Sequence, residues 1–249
     1  MTVCAIMQPT YLPWLGYFDL ADQVDVFVLL DDVQFAKRTW QQRNRIKTVN
    51  GLSWLSVPVL TKGRFAQRIF DVEIAPESAF PRDHLATIEQ YYRNRAGFDR
   101  WFDGFGTHLS TSANSKRLVD VNVAMICWLS AAFGVHTRMV RSSNLDVDGR
   151  RSQRLAAICA ALGADSYLAP PGSREYILQE RHLFTEAGVD VAVHEYDHPE
   201  YAQAFPPFAP YASSIDLLFN VDPGEVGACL RSGRRAWSRL DDERGVEQH

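Results

Sequence analysis

The chain has 249 residues, with 26 Lys and Arg against 30 Asp and Glu, and a formal net charge of -4. That balance excludes the broad basic field by which nonspecific nucleic-acid binders gather phosphate, so nucleic acid is not an expected partner and any anion site must come from a local cluster. Hydrophobic residues make up 46% and charged residues 22%, values that exclude a disordered or fibrous chain.

The four cysteines, Cys4, Cys127, Cys159 and Cys229, are widely spaced and form no CxxC pair, which fits a reducing compartment. A strand-like segment begins almost at once, with no basic stretch leading into an apolar one as in a secretory signal. The expectation is a cytoplasmic protein. The longest apolar stretch, 121–135, is broken by Asn122, Ser130 and Gly134, so it reads as a core helix and membrane insertion is not expected.

Taken in chain order, 3–7 is a short apolar strand closed by Gln8-Pro9, 15–23 has helical apolar spacing, and 26–30 is a second strand ending at Asp31-Asp32. Strand, helix and strand within about thirty residues imply a parallel β-α-β unit. A basic, glutamine-rich stretch follows at 37–47. Alternating runs at 54–60 and 69–74, separated by Lys62-Gly63, predict a β-hairpin. Helical spacing over 80–109 and 116–133 predicts two or three helices. The last third alternates strand 136–140, helix 152–162, strand 166–169, helix 176–187 and strand 189–196, then short helices at 215–220 and 223–231.

The fold class is therefore α/β: an open, mostly parallel sheet flanked by helices, with a small β-hairpin extension and a helical insertion at about 78–133. One domain is expected over 1–233, followed by a charged, solvated tail at 234–249.

In such sheets ligands bind outside the carboxyl ends of the strands, where loops diverge and helix amino termini face the ligand. Five polar loops meet that condition, beginning at Gln8, Asp31, Arg141, Pro170 and Tyr196. From them, His198, between Asp197 and Glu200, is the candidate general base, since a nearby carboxylate orients an imidazole and tunes its pKa. Asp31 and Asp32 have the chemistry to hold Mg²⁺, a ribose hydroxyl or an amine, or else to cap a turn. Tyr11 completes the catalytic candidates. Trp14, with Tyr17 and Trp40, offers an aromatic wall for a sugar or base, and Gly16 permits close backbone approach. Lys37, Arg38, Arg43, Arg45 and Lys47, with Asn44 among them, suit phosphate groups or form a solvated face. Gly172 and Ser173 present amides ahead of a helix, or an N-cap. Gln8, Gln34, Tyr176, Tyr201, Gln203 and Asp216 complete the substrate-binding set. No cysteine lies in a cationic setting that would make it a nucleophile, and no three-ligand zinc set is visible.

The segments MQPTYLPWLGYF at 7–18, DVFVLLDDVQF at 25–35, WQQRNRIK at 40–47 and WLSVP at 54–58 resemble the WbqC-like family. So do GADSYL at 163–168, GSREY at 172–176, YDHPEYAQ at 196–203 and SIDLLFN at 214–220. The likeness covers nearly the whole chain. It implies a biosynthetic role, since members accompany surface-glycan and natural-product gene sets. Two departures matter: Met7 stands where many relatives have His before Gln-Pro, and Pro170-Pro171 where many have Ser-Gly. The first β-α-β unit also resembles HUP-like nucleotidylyltransferases, but Trp14-Leu15-Gly16-Tyr17 stands where those have His-x-Gly-His, without the phosphate-stabilising histidines.

Three functions remain open at this stage. The first is a transferase forming an amide on an amino-sugar or amino-acid-derived substrate, with a coenzyme A thioester or an acyl or peptidyl carrier protein as donor. The second is a ligase or nucleotidylyltransferase using ATP with Mg²⁺. The third is a noncatalytic glycan-binding protein. Each takes a small-molecule ligand, and the oligomeric state stays open.

Overall fold

The computed structural model describes residues 1–239. Strands β1 (Val3–Met7) and β2 (Val26–Leu29) run parallel, joined by helix α1 (Leu15–Asp22). Along β1 and β2 successive side chains enter opposite layers, as a two-residue period requires. Ala5, Phe27 and Leu29 join the larger core cluster, while Cys4, Ile6, Val26 and Val28 join the smaller one.

The hairpin is β3 (Arg43–Thr48) with β4 (Gly51–Ser56), paired antiparallel around Val49 and Asn50. This corrects the expected pairing of 54–60 with 69–74, of which only an isolated bridge, Val59 to Ile74, forms. Asn50-Gly51 is a strong turn signal, and Gly51 at a φ of 93° uses the freedom only glycine has there. The strand before it is hard to see because its buried positions include the polar Asn44, Lys47 and Thr48.

Helices α2 (Arg82–Tyr92), α3 (Phe98–Ala113) and α4 (Leu118–Phe133) form the helical insertion. Then come β5 (Arg138–Arg141), α5 (Arg151–Ala161) and β6 (Ser166–Ala169). The single helix expected at 176–187 is two, α6 (Arg174–Gln179) and α7 (Arg181–Glu186), broken at Glu180. Strand β7 (Asp190–Val193) is followed by α8 (Ser214–Asn220), α9 (Val226–Ser232) and the edge strand β8 (Ser238–Arg239).

The sheet order is β5-β2-β1-β6-β7-β8, with β8 alone antiparallel. The chain thus moves outward from β1 through β2 to β5, then returns to β1's other side with β6. This reversal puts the topological switch point between β1 and β6, where an open α/β sheet leaves a crevice at its carboxyl edge.

Of the expected charged tail, 234–239 is built into the fold. Arg234 bonds Asp19 and Asp22, Trp237 Nε1 donates to Gln23, and β8 pairs with β7. The remainder, 240–249, lies outside the described residues.

Candidate functional site

The loop leaving β1 is held open by buried amides that satisfy its carbonyls. Asn122 Nδ2 on α4 donates to Pro9 O at 3.0 Å and Gln41 O at 2.8 Å, and Asn44 Nδ2 on β3 donates to Leu12 O at 2.7 Å. Ser213 Oγ donates to Leu12 O at 2.7 Å, and Tyr11 N donates to Trp40 O at 2.9 Å. Buried carbonyls without partners are costly, so this set fixes the loop against the hairpin and the insertion. Asn44 thereby supports the site's walls through its side chain, a role the sequence reading did not distinguish from ligand contact.

Two cavities open beside this loop. One, of about 360 Å³, is lined by Trp14, Tyr17, Trp40 and Tyr211, with Met7, Thr10, Asn44 and Arg45. The other, of about 340 Å³, takes in Gln8, Gln41, Thr39, Tyr167, Pro170, Gly172, Ser173 and Tyr176, and shares Met7, Thr10 and Trp40 with the first. The shared residues make Trp40 and the end of β1 a common wall. The second cavity joins the carboxyl ends of β1 and β6, at the switch point. Both are mainly apolar: the first is aromatic with one guanidinium, while the second sets Gln8, Thr39, Gln41 and Ser173 among Ile6, Leu30, Leu155 and Tyr167.

Gly16 serves the first cavity in an unexpected way. A Cβ there would lie 2.2 Å from the Trp14 ring, so the glycine admits the Trp14 indole onto α1 rather than a ligand phosphate. Gln8 Oε1 accepts from Gln41 Nε2 at 2.7 Å, tying the second cavity's rim to the loop before β3.

His198 stands one ring behind the aromatic cavity. Its ring centroid is 6.4 Å from Trp14, nearly parallel, and 5.2 Å from Tyr211, with Tyr201 and Phe208 on its other sides. Neither ring nitrogen has a hydrogen-bond partner among the described residues. Burial pushes its pKa down to about 4, because the apolar box penalises the cation. The expected carboxylate partner is absent: exposed Asp197 pairs with Arg235 at 2.8 Å. His198 is therefore neutral without help from a neighbour.

Several expected site residues are committed to structure instead. Fully buried Asp31 accepts from Arg141 Nε at 2.6 Å, Ser143 N at 2.9 Å and Ser143 Oγ at 2.9 Å. Asp32 accepts from Ser142 Oγ at 2.7 Å and from Arg154. Both carboxylates are thus spent joining β2 to the start of the loop after β5, and they do not suit a Mg²⁺ site, whose ligands need free carboxylate oxygens. The Tyr11 hydroxyl donates to His84 Nδ1 at 2.7 Å, while His84 Nε2 donates to Ser56 O at 3.2 Å. Buried in this chain, Tyr11 reaches neither cavity.

Asp216, Tyr201 and Gln203 form a third closed network. Tyr92 and Tyr201 hydroxyls donate to the buried Asp216 carboxylate, the latter at 2.7 Å, and Gln203 Nε2 donates to it at 2.7 Å. Burial nevertheless holds the Asp216 pKa above the usual carboxylate range. Lys47 is buried and donates to Pro207 O, Arg43 lies 4.1 Å over Trp54, and exposed Gln34 donates to Phe65 O at 3.1 Å. The basic stretch is therefore not one phosphate cradle; of its five cations, Arg45 alone lines either of the two cavities. Ser173 spends both its amide and its hydroxyl on Pro170 O, while Gly172 faces open space.

Of the expected residues, then, Trp14, Asn44 and Arg45 line the first cavity, with His198 one ring behind it, and Gln8, Gly172, Ser173 and Tyr176 line the second. Tyr211, Thr10 and Gln41 went unforeseen. Tyr211 follows the proline-rich stretch 204–210, which reads as plain loop, and its φ of 60° is a strained setting that sequence does not announce.

Among the described residues no helix is long and apolar enough to cross a membrane. No solved structure matches the chain. An uncharacterized protein of Mycobacterium tuberculosis is 36% identical over 228 residues, covering 89% of this chain and 94% of that one. The family model described as the WbqC-like protein family matches residues 8–227, which include both cavities' loops, the hairpin and the insertion. The chain belongs to the WbqC-like protein family.

Proposed function

We propose that the protein is a biosynthetic transferase that forms an amide, transferring an acyl or aminoacyl group from a thioester to an amino-sugar or amino-acid-derived acceptor. The observation that carries this reading is the pair of adjoining cavities with one shared wall at Met7, Thr10 and Trp40. Two adjoining chambers meeting at a strand end suit a condensation of two substrates, since holding both removes much of the entropic barrier to their reaction.

The aromatic chamber suits the acceptor. Indole and phenol faces pack against the C–H faces of a sugar ring, and Arg45 answers an anionic substituent. The second chamber suits the thioester arm, with Ile6, Leu30 and Leu155 as apolar wall, Gln8, Gln41 and Tyr176 as hydrogen-bonding groups and the Gly172 amide as a donor toward a developing oxyanion. The acceptor nitrogen attacks the thioester carbon, the C–N bond forms, and the C–S bond breaks as the thiolate leaves. His198, neutral at physiological pH, takes the proton from the nitrogen once the half-exposed Tyr211 turns aside, and returns it to the thiolate.

The nucleotide-dependent alternative loses support because Asp31 and Asp32 are already bonded to Arg141 and Arg154. A noncatalytic glycan-binding role would use the aromatic chamber but leave the second without a task.

The test is to incubate the protein with panels of coenzyme A thioesters and amino sugars, following thiol release and amide mass. Product that needs both substrates supports the reading. Saturable sugar binding by Trp14 and Trp40 with no thiol release across the panels would favour the binding protein.

A further inference from the structure

We infer that the lobe formed by residues 33–70 is a docking surface for an acidic carrier protein, which presents its tethered thioester at the mouth of the two cavities. The cargo's identity rests on the transferase reading; the docking face rests on charge and exposure.

The segment 33–70 contains eight cations, Lys37, Arg38, Arg43, Arg45, Lys47, Lys62, Arg64 and Arg68, and no Asp or Glu. In a chain of net charge -4 this leaves -12 on the remainder, so the molecule is strongly divided in sign. The segment closes on itself as a unit. Gln34 bridges Arg68, Phe35 N donates to Gln67 O, and Val57 N donates to Gln42 O. Arg64 and Arg68 are offset by Glu73 and Asp71, and Lys47 is buried. Lys37, Arg38, Arg43, Arg45 and Lys62 have no acidic partner among the described residues. Such uncompensated charge steers an oppositely charged macromolecule and fixes its orientation.

The same lobe carries exposed aromatic surface. Trp40 and Trp54 are 47% and 43% exposed with ring centroids 5.3 Å apart, Arg43 lies 4.1 Å over Trp54, and Arg45 lies 5.5 Å from Trp40. Trp and Arg together are the residues in which interface energy concentrates. Trp40 is also the wall common to both cavities, so a partner seated on this face stands over the site. A small soluble anion needs one or two cations at its phosphate. Cations distributed over the 37–40 loop, the hairpin and the 60s loop match an extended acidic surface instead.

The experiment measures binding, without turnover, of purified holo acyl carrier protein and holo peptidyl carrier protein to the full chain, alongside a single-stranded DNA oligonucleotide. The expected result is micromolar carrier binding that weakens about tenfold or more between about 50 and about 500 mM salt. It should weaken similarly in the triple variant Lys37→Glu, Arg38→Glu, Lys62→Glu, and not in Arg82→Glu on α2. Unchanged thermal melting of the triple variant shows that it folds. Carrier binding that ignores the triple substitution, absence of carrier binding, or preference for the oligonucleotide each overturns the inference. Turnover with free coenzyme A thioesters reports separately: docking can fail while that activity persists, and docking can hold with no activity at all.

Discussion

Two histidines four residues apart, His194 and His198, show how the same side chain is put to different ends. His194, at the end of β7, is buried and donates through Nε2 to Asp19 at 2.8 Å; Asp19 also accepts from Arg234 at 2.9 Å and from Gln23 at 2.6 Å. His198, past the strand in the following loop, has two nitrogens without partners and aromatic rings around it. A buried polar group bonded to a carboxylate inside the fold is structural. One kept neutral and unsatisfied beside a cavity has capacity left for a substrate.

The comparison breaks first, and most heavily, at Asp19. Asp19→Ala leaves the buried His194 without its acceptor and Arg234 with Asp22 as its one remaining carboxylate, and it loosens the C-terminal segment from α1. Removing one partner from a buried pair costs about 3–5 kcal/mol, so chemical denaturation should show a loss of that order, while the folded fraction retains its activity. Unaltered stability would make the network incidental.

The next effect falls on catalysis. His198→Ala should lower turnover by about 10²–10⁴-fold, the range of a lost general base, with little change in melting because no hydrogen bond is lost. A variant that melts far lower yet turns over normally when folded would make His198 a packing residue. The two substitutions should thus separate cleanly, stability following Asp19 and rate following His198.

The sheet was legible because its signal is local: short apolar strands such as 3–7 and 26–29 alternating with helices of ordinary length leave little choice of architecture. Helices over 82–92, 98–113 and 118–133 follow from the same periodicity. The hairpin was misplaced because Arg43, Asn44 and Arg45 read as a soluble face, whereas Asn44 is turned inward to hold the loop after β1. For the site, topology rightly brought Gln8, Trp14 and Gly172 to one edge. It could not say which polar groups there were already satisfied. Asp31 looked free because Ser142 and Ser143 are more than a hundred residues away in the chain, and Tyr11 looked catalytic because His84 sits in a helix far downstream. Partners at such separation leave no mark on the local sequence.

A smaller effect appears with pH. Burial pushes the pKa values of both His84 and His198 from 6.5 down to about 4, so both are neutral in the fold at physiological pH. Below 6.5 the unfolded chain takes up protons that the fold refuses. Their stabilisation is full above that value and is lost as the pH falls toward 4. For His84, at 8% exposure, the loss can reach about 3 kcal/mol. Melting temperature should decline through this window, and more gently in His84→Asn. The rate profile should hold its acid limb near 4, where His198 gains its proton, and a limb at 6.5 would place the essential base elsewhere.

The smallest expected effect is at Asp197, the residue that sequence alone makes the natural partner of His198. Its carboxylate is exposed and paired with Arg235, an arrangement that solvent screens almost completely. Asp197→Asn should therefore leave the rate, its pH profile and the melting temperature where they were. A shift of the acid limb in this variant would mean that the carboxylate meets the imidazole during turnover, and that the aromatic box alone does not keep His198 neutral. An unmoved limb leaves desolvation by Trp14, Tyr201, Phe208 and Tyr211 as the whole cause, which is the distinction between His198 and the Asp19-bonded His194.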